Sequence, residues 1–97
     1  MKYGLELKTI GLISDVFSKY AAVEQVIIYG SRAKGNFRPG SDIDLTLKGP
    51  SLNLETLLKI ENDLDDLLLP YKFDLSIYHQ ISDKSVLEHI DRVGKSF

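Results

Sequence analysis

At 97 residues the chain has the length of one compact domain, residues 1–97, and leaves no room for a second with its own core. Its hydrophobic fraction of 43% and charged fraction of 27% are those of a folded globular protein and exclude a disordered one. Lys and Arg number 12 against 14 Asp and Glu, a net charge of −2 that excludes a broad positive field for nucleic acid.

No cysteine is present, which removes disulfide frameworks, thiolate metal sites and cysteine nucleophiles. The opening MKYGLELKTIGLISDVFSKY is broken by Glu6, Lys8 and Asp15 before any signal-peptide core can form, and no stretch is long enough to span a membrane. A soluble, cytoplasmic protein is expected. Within the same opening, Ile10, Ile13, Phe17 and Tyr20 recur at helical spacing, which predicts an amphipathic helix between Leu5 and Ala22. The uninterrupted apolar run Val26 to Tyr29 predicts a short strand covered on both faces and stopped by Gly30.

Asp42 to Leu47 and Phe73 to Tyr78 alternate instead, with Ile43, Leu45 and Leu47 sharing one face, as do Phe73, Leu75 and Ile77. Their other faces carry Asp42, Asp44 and Thr46, and Asp74, Ser76 and Tyr78. Between them, Leu57, Ile60, Leu64 and Leu67 form a helical stripe closed by Pro70. A last helix is expected from a Ser82-Asp83 cap through Val86, Leu87 and Ile90 to a C-terminal cap at Gly94. This order predicts an α/β or α+β fold with a small sheet of about three strands covered by helices. The link between the first two strands is too short for a helical crossover, so they pair antiparallel and the sheet is mixed.

Residues two apart in a strand point the same way, which places the Cα atoms of Asp42 and Asp44 roughly 6 to 7 Å apart on one face. Two such carboxylates repel each other unless a proton or a cation intervenes, and Mg²⁺ favours hard oxygen ligands of this kind together with substrate phosphates. Alone, the Asp-x-Asp pattern also suits a merely solvated strand face. Asp74, on the polar face of the other alternating strand, adds a third carboxylate where aspartate is disfavoured.

Gly30-Ser31, ending the first strand, supplies a complementary feature: glycine permits close approach, and a following turn aims N–H groups and the Ser31 hydroxyl at a phosphate. Arg32, Lys34 and Arg38 add positive charge to the same loop, although basic loop residues are equally at home in solvent. A P-loop is excluded, because Asn36-Phe37 stands where Lys-Ser or Lys-Thr is required after Gly30 and Gly35, and no G-x-G-x-x-G occurs. His79 and His89 lie in different elements without metal-type spacing and are read as ordinary surface residues.

Gly30-Ser31, the Asp42-Ile43-Asp44 strand and the later Asp74 together resemble the polymerase-β-like nucleotidyltransferase superfamily. The wording GSRAKG…SDIDL is most similar to its minimal members, the MNT domains. The resemblance implies that Gly30 and Ser31 bind the phosphates of ATP, with Arg32 and Lys34 beside them. It implies that Asp42 and Asp44, joined by Asp74, hold two Mg²⁺ ions, and that Asp74 helps activate the acceptor hydroxyl. AMP transfer to a tyrosine of a HEPN-type helical toxin, with this chain as antitoxin, is the biology implied; hetero-oligomers and homo-oligomers both stay open. The minimal members carry Arg where this chain has Lys34, which cannot make the same bidentate contact. The alternative is a catalytically silent module that neutralises its partner by contact alone.

Overall fold

The apolar run after Glu24 forms β1 (Gln25–Tyr29), and the sheet grows outwards from it on both sides. β2 (Ile43–Lys48) lies antiparallel against β1, and β3 (Phe73–Ile77) lies parallel to β2. On the other flank β4 (Lys95–Ser96) pairs antiparallel with β1, giving the order β3-β2-β1-β4 in a computed structural model that describes residues 1–97. The mixed sheet and the antiparallel first pair agree with expectation, whereas the fourth strand corrects the count of three. Two residues are too few to show an alternating pattern, and β4 is held by backbone pairing, extended by the Phe97 N–H donating to the Val26 carbonyl at 2.9 Å.

Register decides which side chains share a face. Ile28, Leu45 and Leu75 stand in one row across the three long strands, and Val26, Leu47 and Ile77 in the next. These rows face α1 (Leu7–Ser18) and α3 (Leu54–Asp65), whose Ile13, Val16 and Phe17, and Ile60 and Leu64, complete the core. The opposite face carries Tyr29, Asp44 and Asp74 in one row and Ile27, Thr46 and Ser76 in the next. There α4 (Lys84–Val93) covers β1 and buries Ile90, so β1 is covered on both faces, while Asp44 stays half-buried and Asp74 on β3 exposed.

The helices depart from expectation at their ends. α1 starts after a tight turn in which Tyr3 (φ 57°) and Gly4 (φ 72°) are both left-handed and Lys2 and Leu5 exchange backbone hydrogen bonds of 2.9 Å. α3 opens on Asn53, whose side chain accepts the Thr56 N–H, and stops at Asp65 instead of reaching Pro70; beyond it Leu68 takes a left-handed φ of 55°. The Asp83 side chain caps α4 as expected from the sequence. Gly94 is extended and not a left-handed cap: a Cβ there would press on the Ile90 carbonyl and lie 2.7 Å from Ile27 Cγ2. Its requirement is close approach of α4 to β1.

Candidate active site

The β2–β3 register sets Asp44 directly beside Asp74, and the β1–β2 register sets Tyr29 beside Asp44. Their shared face follows from the packing of buried Leu45 and half-buried Leu75 on the reverse one, since alternation then sends their neighbours to this one. Asp42, exposed, precedes β2 by one residue and adds to the negative field at Asp44. The register thus brings Asp44 and Asp74 to one face, with the charge of Asp42 felt at Asp44 from the residue before β2. As the side chains stand, no three carboxylate or imidazole groups converge tightly enough to hold one ion.

Burial pushes the Asp44 carboxyl above its ordinary range, and the charges of Asp74 and then Asp42 push it further in the same direction. Arg32 pulls the other way, as a proton on His89 would. Burial likewise raises the Tyr29 phenol, with Asp74 and Asp44 adding to the shift and the Ser76 hydroxyl opposing it. In the neighbouring row Ser76 donates to the fully buried Thr46 hydroxyl at 2.9 Å, closing the floor of the face. Neighbouring carboxylates are the hard oxygen donors that a divalent cation such as Mg²⁺ favours.

Directly after β1 comes α2 (Gly30–Lys34). Gly30 has a φ of 73°, and a Cβ at this position would overlap the Asp44 carboxylate, whose Cγ would lie at 3.2 Å. Only glycine lets the turn and the carboxylate touch. The turn closes at Gly35 (φ 90°), whose N–H donates to the Ser31 carbonyl at 2.9 Å. The Gly30 N–H is itself engaged, donating to His89 Nε2 at 3.2 Å.

The basic residues of this loop part company. Arg32 is only 2% exposed; its Nε and Nη2 donate to the Ser41 carbonyl at 3.2 and 2.9 Å, and Nη1 donates to the Tyr3 carbonyl at 2.9 Å. Its guanidinium also lies over the rings of Phe37 and Tyr71, at 5.3 and 5.1 Å. Arg32 therefore straps the Asn36–Ser41 loop to the N-terminal turn, a place the loop reading did not give it. Lys34 and Arg38 are exposed. The larger hollows avoid the carboxylates: one of 560 Å³ is lined by Tyr3, Arg32, Phe37 and Tyr71 among others, and one of 460 Å³ by Lys48, Gly49, Pro50, Tyr78 and His79. The carboxylates stand on an open sheet face.

Residues 12–97 match the family model described as Polymerase beta, Nucleotidyltransferase. The chain belongs to this nucleotidyltransferase family. No curated protein sequence gives a significant match. Among solved structures, the nucleotidyltransferase domain resembles a chain of a toxin–antitoxin crystal structure with AMP-PNP at 17% identity and a TM-score of 0.72, over 89% of this chain and 69% of that one. An MntA–HpeT toxin–antitoxin complex matches at 18% identity and a TM-score of 0.67, over 92% of this chain and 68% of that one. A complex of the tri-AMPylated Shewanella oneidensis HEPN toxin with its MNT antitoxin matches at 18% identity and a TM-score of 0.60, over 92% of this chain and 65% of that one. At such identities the likeness concerns the fold.

Two residues of the nucleotidyltransferase domain escape its sequence pattern. His89 reaches Gly30 only because α4 docks on β1, and its separation of 59 residues from the turn carries no local signal. The burial of Arg32 depends on Tyr3, Phe37 and Tyr71, aromatic residues from three separate segments.

Proposed function

We propose that the chain is a Mg²⁺-dependent nucleotidyltransferase that moves AMP from ATP, with release of pyrophosphate, to a hydroxyl acceptor, a tyrosine of a HEPN-type helical partner, and so acts as an antitoxin in the cytoplasm. The observation that carries this reading is the contact of the Gly30 turn with the Asp44 carboxylate, while Asp74 stands beside Asp44 in register. The turn offers the Ser31 hydroxyl and backbone to a triphosphate at the place where the carboxylates gather. Asp42 and Asp44, with Asp74, would hold the cation. Bound there, Mg²⁺ supplies neutralisation of the triphosphate and a lower pKa for the attacking oxygen.

Asp74, exposed at the outer strand of the row, would accept the hydroxyl proton of an incoming acceptor. Exposed Lys34 adds local positive charge for the phosphates, while buried Arg32 shapes the loop and tempers the charge of Asp44. The open face fits a macromolecular acceptor that presents its own tyrosine. AMP-PNP and AMPylation belong to the fold relatives, and they favour adenine and a HEPN partner here by likeness.

ATP labelled at the α-phosphate, incubated with Mg²⁺, the chain and its HEPN-type partner, yields labelled partner, and Asp42→Ala or Asp44→Ala abolishes the transfer. An unlabelled partner that is nonetheless bound and neutralised, with the complex surviving Asp42→Asn combined with Asp44→Asn, would establish the contact-only module instead.

A further inference from the structure

We infer that His89 of α4 is a positioning residue for nucleotide binding: by accepting the Gly30 N–H it fixes the peptide plane that enters the phosphate turn. The inference rests on the reading of this turn as a phosphate site. The Gly30 N–H donates to His89 Nε2 at 3.2 Å, and the imidazole packs edge-on against the Tyr29 ring with centroids 6.1 Å apart. His89 thus holds both residues of the peptide that leads from β1 into α2.

An Nε2 that accepts is unprotonated, so a neutral ring carries its hydrogen on Nδ1. The plane matters because Gly30 has two constraints besides this one. Its left-handed φ and its contact with Asp44 set the residue, and the N–H bond to His89 holds the peptide plane that this φ defines. A half-buried N–H without an acceptor would draw the peptide toward water or toward the carboxylates of the face. With His89 in place the Gly30 N–H is satisfied, and Ser31 is the residue presented to a phosphate.

The helix that carries His89 is itself held in place. Ile90, its neighbour on α4, is buried, and Gly94 lets the end of the helix press on Ile27. Asp91 accepts the Tyr78 hydroxyl at 2.8 Å from the turn after β3. The imidazole therefore stands on the anchored C-terminal part of α4, and it acts on the phosphate turn through Gly30 without touching substrate.

The test uses the full chain and three proteins: wild type, His89→Ala and His89→Gln, whose Oε1 reaches about as far as Nε2 and also accepts. Kd for Mg·ATP is measured by calorimetry, KM and kcat by label transfer to the partner, and hydrogen exchange of the Gly30 amide by NMR. His89→Ala is expected to weaken Kd and raise KM about threefold to tenfold, the span for one lost hydrogen bond, with kcat retained. It is also expected to speed exchange at Gly30, and His89→Gln to restore all three readouts.

An unchanged Kd in His89→Ala, a tighter Kd, a fall in kcat with KM unmoved, or a glutamine variant as impaired as the alanine one would each overturn the role of His89. Wild type that binds no Mg·ATP would instead overturn the phosphate-site reading, along with any role of His89 in it. That outcome is separable, because Gly30 exchange still reports whether the hydrogen bond exists.

Discussion

Replacing Asp44 by asparagine is expected to make the protein more stable while destroying transfer. Neighbouring strands lie about 4.8 Å apart, and two like charges at that spacing repel by roughly 0.9 kcal/mol in water and about 3.5 kcal/mol at an effective dielectric of 20. Asp74 is exposed and Asp44 half-buried, so solvent screening brings the value toward the lower figure, about 1 kcal/mol. For a domain of this size that corresponds to a rise in Tm of about 4–8 °C. The assay is thermal unfolding at low salt and neutral pH with a chelator present. Because burial, Asp74 and Asp42 hold the Asp44 carboxyl above its ordinary value, the native chain takes up a proton that the unfolded chain has already lost. Wild-type stability accordingly falls as pH rises through the window between the ordinary and the raised value, and the asparagine variant lacks this fall. Its advantage shrinks as pH drops into the ordinary carboxylate range, and it also shrinks when Mg²⁺ is added to both proteins. A variant that is less stable than wild type in chelator would refute the idea that these carboxylates strain one another.

Arg32→Lys keeps the charge but loses the fork that joins Ser41 to Tyr3, and urea denaturation is expected to show a loss of about 3 kcal/mol, the upper range for a charge-assisted hydrogen bond. Gly30→Ala forces a side chain into left-handed backbone, worth about 1–2 kcal/mol by itself, and displaces the Asp44 carboxylate; Mg·ATP binding measured by calorimetry is expected to vanish with it. Gly94→Ala overpacks the junction of α4 with Ile27 at about 1–3 kcal/mol, and faster amide exchange across the β1–β4 pairing is the sign to look for.

The face that carries the site was legible because the alternation around Leu45 and Leu75 is strict, and a buried row on one side of a sheet fixes the row on the other. Asp44 and Asp74 could be placed on like faces from that pattern, and pairing then set them side by side. Gly30 was legible as a turn, though its φ of 73° and its contact with Asp44 emerge only when β1 and β2 are joined. Arg32 looked like a loop cation, because nothing local shows that its guanidinium lies over the Phe37 and Tyr71 rings. His89 looked like a surface residue for a similar reason: α4 is polar apart from Val86, Leu87, Ile90 and Val93, and its docking on β1 is long-range. The tight turn at Tyr3 and Gly4 has little local signal, because a left-handed Tyr3 is not something its residue type announces.

The alternation of β2 and β3 does two jobs at once, since the period that hides Leu45 also delivers Asp44. A one-residue slip of either strand would therefore invert oil and acid together, and no partial failure of the site is available by that route. A two-residue insertion keeps the faces but slides one carboxylate a full repeat away from its neighbour. The acidic row can thus be altered by exchanging side chains, whereas changes of strand length meet the core before they reach the chemistry.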